Sequence, residues 1–169
     1  AAKDLIRYRP RVRIHQGRNH EDRQAGFLVS ESFQRQISGG IVPVTSCAII
    51  TSALNKRLVA TRKILSQIPV CIDSLVLMSS SSENSDRVSG HITLMKGKTP
   101  GFFRKELVKI MRAAQLKGIT VSGPDGKVKE ATGSVPVTGL IAPDTEGGPF
   151  EAEPSFFVQS NIFQNKVLI

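Results

Sequence analysis

Two segments with helical periodicity, separated by apolar segments rich in β-branched residues, most constrain what this 169-residue chain can fold into. In the first, side chains recur on one face at intervals of three or four residues until Pro69 interrupts the pattern: Leu54, Leu58, Thr61, Leu65 and Ile68. Residues three or four apart lie on one side of a helix, so the spacing predicts an amphipathic helix after Thr51 or Ser52.

The second helical segment lies between Thr99 and Gly118. Thr99 and Pro100 supply an N-cap and a first-turn proline, and Gly118 supplies the stop. Its apolar face carries Phe103, Leu107, Ile110, Met111 and Ala114. Lys105, Lys109 and Arg112 follow the helical period on the opposite face.

Five apolar or alternating segments read as strands: residues 41–50, 69–78, 87–96, 117–123 and 127–131. Read in order, residues 41–123 give strand, helix, strand, strand, helix, strand. This order resembles the split β-α-β of ferredoxin-like domains in pattern. The sequence therefore predicts an α+β fold with a mixed or antiparallel sheet and two amphipathic helices.

An alternative interpretation treats residues 53–67 as a strand and a loop. The chain would then be all-β and would resemble a small viral jelly-roll coat protein with a basic arm.

Composition divides the chain into three parts. Residues 1–40 alternate basic and apolar positions and read as a basic arm or an edge strand. Residues 41–133 form the α+β core. Residues 134–169 are rich in proline and glycine and read as an extended C-terminal arm.

The formal net charge of +9 is concentrated in two clusters. Residues 1–23 hold seven basic and three acidic side chains, residues 96–117 hold seven and one, and residues 144–153 hold four acids and no base. Clustered positive charge attracts phosphate backbones, which predicts RNA or another polyanion as a partner. The candidate nucleic-acid-binding residues are Arg7, Arg9, Arg11, Arg13, Lys96, Lys98, Lys105, Lys109 and Arg112.

No motif for catalysis is present. The segment MKGKTPG follows a strand and opens a helix, yet Ile92 stands where a Walker A loop requires glycine, and Pro100 lacks an amide donor. The histidines at positions 15, 20 and 91 do not fall at metal-ligand or triad spacings. The sequence therefore predicts no catalytic residues, no metal site and no cofactor.

The C-terminal arm keeps its hydrophobic content. Phe150, Phe156, Phe157 and Phe163 are candidate subunit contacts, on the chain's own core or on a neighbour. Self-association or a larger assembly through this arm is the corresponding expectation.

These features predict a non-enzymatic structural or assembly protein that contacts RNA, such as a viral coat, matrix or movement-type protein. A ribosome-associated or other ribonucleoprotein subunit is one alternative, and an enzyme or binder of a phosphorylated small molecule is another. The sequence contains no apolar run long enough for a membrane span and no apolar centre of a signal peptide, so an intracellular and not secreted setting is expected.

Overall fold

The computed structural model describes residues 9–17, 24–28, 40–68, 72–80, 86–97, 104–140 and 149–155. The elements in these ranges are β1 (Arg11–Gln16), β2 (Ala25–Leu28), β3 (Ile41–Val42), α1 (Ser52–Gln67), β4 (Ile72–Ser79), β5 (Val88–Leu94), α2 (Arg104–Ala113), β6 (Gly118–Ser122), β7 (Val128–Gly133), β8 (Val137–Leu140) and β9 (Pro149–Ala152).

Seven strands form one mixed sheet in the order β3-β2-β1-β4-β5-β6-β7, and β8 pairs with β9 in a separate hairpin. The β5–β6 pair is parallel, and the other described pairs of the sheet are antiparallel. Parallel neighbours need a crossover connection, and α2 provides it between β5 and β6. The predicted α+β class with two helices is confirmed.

The all-β alternative is wrong, because residues 52–67 form a helix. A ferredoxin-like arrangement is not confirmed either. The strand expected over residues 41–50 is reduced to β3, which pairs only with β2 within the described sheet. Pro43 offers no amide donor to a sheet. The Asn55 side chain accepts from Cys47 N (2.9 Å) and donates to Cys47 O (2.7 Å), which holds this segment as a loop.

Residues 11–16 do not form a free arm or an edge strand. β1 pairs with β2 on one side and with β4 on the other, so it lies inside the sheet. The alternation of Arg11 and Arg13 with Val12 and Ile14 explains this position. The apolar residues face the core, and the arginines face the other way.

One face of the sheet packs against both helices. Two rows of paired residues cross it from strand to strand: Val12, Leu77, Gly90 and Ile119 in one row, and Ile14, Leu75, Ile92 and Val121 in the next. The helices contribute their buried stripes to the same cluster, including Leu54, Leu58 and Leu65 from α1 and Leu107 and Ile110 from α2. Burying each such side chain contributes roughly 1.5–3 kcal/mol relative to leaving it exposed. This cluster is the main core.

No helix in the described part of the chain packs on the opposite face of the sheet, which is largely polar. Its central row runs from Arg13 through Val76 and His91 to Thr120. The chain around the end of β9 lies over part of it, since Ala152 and Pro154 are buried and Arg11 Nη2 donates to Pro154 O at 3.2 Å. We call this surface the helix-free face.

Buried polar side chains fasten α1 to the sheet and to α2. Arg57 donates to Ala53 O, Asp86 O and Gln115 O, and it forms an ion pair with the Asp86 carboxylate at 3.3 Å. The hydrogen bond from Arg57, followed by its charge, holds the pKa of Asp86 below its ordinary value. Arg57 therefore joins the first half of α1 to the loop before β5 and to the end of α2.

Gln16 fastens the other end of α1. Its side chain is buried, and Nε2 donates to Leu65 O (2.8 Å) and Ile68 O (2.9 Å) while Oε1 accepts from Ile72 N (3.2 Å). Carbonyl groups in the last turn of a helix lack partners within the helix. Gln16 supplies them and also positions the start of β4.

Replacing Gln16 with Leu tests this connection. We expect the free energy of unfolding to fall by about 2 to 4 kcal/mol, because the change leaves buried carbonyl and amide groups without partners. Urea denaturation measures the loss. Gln67→Leu, at an exposed glutamine of the same helix, is the matched control and should change stability by less than about 0.5 kcal/mol. Equal stability of the two variants would contradict the assignment.

Candidate nucleic-acid interface

The outer side of α2 carries a concentrated positive charge. Lys105, Lys109 and Arg112 are all exposed and fall within an arc of roughly 60° at about 100° per residue. None of the three forms an ion pair within the described part of the chain, whereas Arg104, at the start of the helix, pairs with Glu130 at 3.5 Å. We call Lys105, Lys109 and Arg112 the basic ridge.

Burial on its other side holds α2 in place. Leu107 and Ile110 have no exposed surface, and Ala114 just beyond the helix is also fully buried. Gln115, at a φ of 53°, then turns the chain, and Leu116 N donates to Met111 O at 2.8 Å. The ridge therefore sits on a rigid element, and its long side chains can reach a ligand without displacing the core.

Lys96 lies at the carboxyl end of β5, exposed, in a turn where Gly97 has a φ of 83°. The parallel neighbour β6 ends at the same edge of the sheet, followed by the Gly123–Gly126 turn. Lys98, predicted beside Lys96, and the predicted caps Thr99 and Pro100 lie outside the described residues. The structure thus places one predicted lysine at this edge.

The described arginines of the N-terminal segment, Arg9, Arg11 and Arg13, are called the arginine row here, and Arg11 and Arg13 lie apart from the basic ridge. Arg11 and Arg13 lie on the helix-free face, whereas α2 covers the opposite face of the sheet. Arg9 precedes β1 and is exposed, as is Arg13. Arg7 lies outside the described residues. The thickness of the sheet therefore separates Arg11 and Arg13 from the basic ridge.

Arg11 differs from its neighbours because it is half-buried. Burial, together with the charge of Arg13, lowers its pKa. Its Nη2 group donates to Pro154 O, so part of the guanidinium fastens the segment after β9 to the sheet. Arg11 thus has a structural contact that the sequence analysis did not anticipate.

A hydrogen-bonded cluster that no sequence motif predicted lies on the helix-free face. His91 Nδ1 lies 2.7 Å from Thr120 Oγ1, and His91 Nε2 lies 3.0 Å from Ser122 Oγ. The three residues come from the parallel strands β5 and β6, whose register brings them side by side. Hydroxyl residues at every second position of otherwise apolar strands were the available signal.

The environment of His91 favours the neutral ring. Its pKa is lowered by burial, then by the charges of Arg11 and Arg13, while Glu153 acts in the opposite direction. A serine beside a histidine is one component of a nucleophilic site. Here Ser122 is 1% exposed, and the second ring nitrogen meets a hydroxyl rather than a carboxylate. The cluster is therefore a satisfied polar core.

The remaining predicted sites fall mostly outside the described part of the chain. Phe156, Phe157 and Phe163 lie there, and of Phe150 only the backbone is described, paired with Gly139 in the β8–β9 hairpin. Their role as subunit contacts stays a prediction. The described residues contain no group of three or more histidine, cysteine, aspartate or glutamate side chains able to hold a metal. Within the same ranges, no helix is long and apolar enough to cross a membrane.

No protein-family model matches the chain, and no curated protein matches it. Among solved structures, the chain is similar to the Pyrococcus abyssi tRNA (uracil-54, C5)-methyltransferase in complex with S-adenosyl-L-homocysteine, with a TM-score of 0.60 at 12% sequence identity. The similarity covers 95% of this chain and 39% of that chain. The chain thus spans less than half the length of the enzyme whose fold it shares in part.

This comparison contradicts two predictions. The prediction of a non-enzymatic structural or assembly protein, such as a viral coat, matrix or movement-type protein, is contradicted, because the chain shares its fold with part of a solved tRNA methyltransferase. The prediction that the chain is not an enzyme is contradicted by the same finding. Both predictions rested on clustered charge, which reports attraction to polyanions and carries no information about catalysis.

The burial of His91 predicts a pH dependence of stability. The unfolded chain binds a proton on His91 near the ordinary pKa of 6.5, whereas the folded chain resists protonation. The unfolded state therefore binds more protons in this window, and the free energy of unfolding should fall as the pH drops from 7.5 to 5.5. Urea denaturation at several pH values measures the slope. His91→Asn should flatten it, and an unchanged slope in that variant would refute the assignment to His91.

Proposed function

We propose that this chain is an RNA-binding domain of a protein that acts on RNA, and that the basic ridge on α2 contacts the phosphate backbone. The observation that carries this proposal is the exposure of Lys105, Lys109 and Arg112 on one arc of a packed helix, without ion pairs in the described part. Cations with no internal partner are available to an external one.

The side chains of the ridge are better suited to bind RNA phosphates than to read nucleobases. Lysine and arginine supply donors only, and neutralising phosphates releases condensed counterions, which drives binding at low salt. Contacts of this kind position a nucleic acid without reading its sequence. Basic side chains that recur on successive turns of a helix can contact successive phosphates of an RNA strand lying along the helix.

The similarity to a tRNA methyltransferase supports RNA as the polyanion. That enzyme acts on tRNA. The fold similarity covers 95% of this chain and 39% of the enzyme. This similarity is one of fold, and the ridge itself carries the proposal. Arg13 is exposed on the helix-free face, and we propose it as an additional contact for the same partner.

The solved enzyme is in complex with S-adenosyl-L-homocysteine, so we compared the described residues of this chain with the needs of such a cofactor. In sheets of this class, ligands bind beyond the carboxyl ends of neighbouring parallel strands. Here that edge, after β5 and β6, presents Lys96 and the turn containing Asp125. The exposed Asp125 carboxylate accepts from Lys127 N (3.1 Å) and pairs with Lys129 (3.7 Å). Among the described residues of this edge we assign none to the cofactor, and methyl transfer forms no part of the proposal.

A charge-matched pair of variants tests RNA binding by the ridge. Lys105→Gln with Lys109→Gln should weaken binding of a single-stranded RNA at low salt by about tenfold and reduce the slope of log affinity against log salt by about 1.4, at roughly 0.7 per lost phosphate contact. Fluorescence anisotropy across a salt series measures both quantities.

Lys127→Gln with Lys129→Gln removes the same charge from the exposed β6–β7 hairpin and serves as the control. It should change affinity by less than about twofold, because Lys129 is already paired with Asp125 (3.7 Å) and neither lysine lies on the exposed arc of α2 that forms the ridge. If both double variants lose affinity equally, net charge alone drives binding and the ridge has no specific role. If the unaltered chain shows no salt-dependent binding, the proposed function is wrong.

A further inference from the structure

An open groove lies between β2 and α1, on the side of α1 away from α2. Its volume is about 260 Å³, and it is lined by Gln24, Ala25, Val59, Arg62, Lys63 and Ser66. No acidic residue is among these lining residues. Neither the basic ridge nor the arginine row reaches this groove, so the proposed function leaves it unused.

Arg62 gives the groove a fixed cation. Its Nε group donates to Ala25 O and its Nη1 group donates to Val44 O, each at 2.8 Å. These two bonds immobilise the guanidinium, and its Nη2 group has no partner among the described residues. A cation held in place loses little side-chain freedom on binding an anion, and a guanidinium matches the oxygens of a phosphate.

Lys63 adds a second positive charge at the same place. It is exposed and forms no ion pair in the ranges that the structure describes. Ser66 already donates its hydroxyl proton to Lys63 O (2.8 Å), which leaves its oxygen as an acceptor. Gln24 is exposed at the rim and offers an amide with both donor and acceptor atoms. Because Arg62 and Lys63 line the groove and no acidic residue is among the lining residues, the groove favours an anionic ligand.

The groove also has an apolar part. Val59 is 51% exposed although it is a large aliphatic residue, and Ala25 lies beside it. An anion alone gains nothing from this surface, whereas the sugar or base of a nucleotide can cover it. The volume is below the roughly 300 to 1,000 Å³ typical of whole small-molecule sites, which suits one phosphate with the nucleoside attached to it.

We propose that this groove binds one phosphate and its adjoining nucleoside from a single-stranded RNA. A nucleoside in a duplex is stacked and paired, whereas one in a single strand can turn out of the strand and lie on a protein surface. This inference rests on the proposed function and narrows the RNA to a single strand. Arg62 and Lys63 hold the phosphate, and Val59 packs against the nucleoside.

Two substitutions at exposed residues test the groove without touching Arg62, whose carbonyl contacts support the fold. Lys63→Gln should weaken binding of a single-stranded RNA about threefold and lower the salt slope by about 0.7. Val59→Glu places a carboxylate in the groove and should weaken the same binding about tenfold by repelling the phosphate. Lys56→Gln, on the exposed side of α1 outside the groove, is the control and should bind within about twofold of the unaltered chain.

The same variants are measured with a duplex of the same sequence and with adenosine monophosphate, and equal thermal unfolding midpoints verify that they fold. Duplex binding should respond to the ridge variant and not to the groove variants. If Lys63→Gln and Val59→Glu bind the single strand as the unaltered chain does, the groove proposal is overturned while RNA binding by the ridge stands.

If the unaltered chain binds no RNA, the proposed function fails, and titration with adenosine monophosphate then decides the groove separately. Saturable binding of adenosine monophosphate that is lost in Val59→Glu supports a phosphate–nucleoside site for free nucleotides. Absence of that binding overturns the groove as well.

Discussion

The register among β1, β4, β5 and β6 is the constraint on which the rest of the structure depends. Each of these strands alternates its side chains between two faces, and the pairing aligns the apolar sets in shared rows. A slip by one residue would turn Ile14 and Ile92 away from the helices and bring Arg13 and His91 toward them. The two buried helical stripes fix the register because they can pack only against the apolar rows. The placement of Arg11 and Arg13 on the face opposite the helices follows from this register.

The same alternation creates a second, polar environment behind the core. His91 is buried there between two hydroxyl groups and near Arg11 and Arg13, and burial followed by these charges lowers its pKa. Hydrogen bonds satisfy the buried groups and make this arrangement tolerable, since an unpaired buried polar atom costs about 1–3 kcal/mol. The segment after β9, fastened by Arg11, covers part of this face. The helix-free face is consequently partly covered. The basic ridge is the more exposed cationic surface.

The basic residues of the chain serve two physical roles that their sequence does not distinguish. Arg57 and Arg62 are held by backbone carbonyl groups and fasten α1 to its surroundings. Lys105 and Lys109 are exposed and without internal partners in the described part. Arginine suits the first role because its planar group donates in several directions, and lysine on a helix surface suits the second. Net charge alone therefore overstates the number of residues available to RNA.

The sequence by itself determined the local elements. Periodicity located α1 and the body of α2, and it located β4, β5, β6 and β7 to within a few residues, because amphipathic patterns are local properties of the chain. It also identified the basic ridge, since helical spacing places Lys105, Lys109 and Arg112 on one side. Charge clustering could not distinguish an assembly protein from other proteins that contact RNA, and the fold comparison contradicts the prediction of an assembly protein.

Only the tertiary structure decided how these elements combine. The pairing of β1 between β2 and β4 joins residues about 60 positions apart, and no local pattern encodes such a partner. The cluster of His91, Thr120 and Ser122 depends on the parallel register of β5 and β6, and the groove depends on the packing of α1 beside β2. The separation of the arginine row from the ridge is likewise a consequence of the sheet lying between them. These features arise from long-range contacts, whose free energy is gained only when the whole core forms.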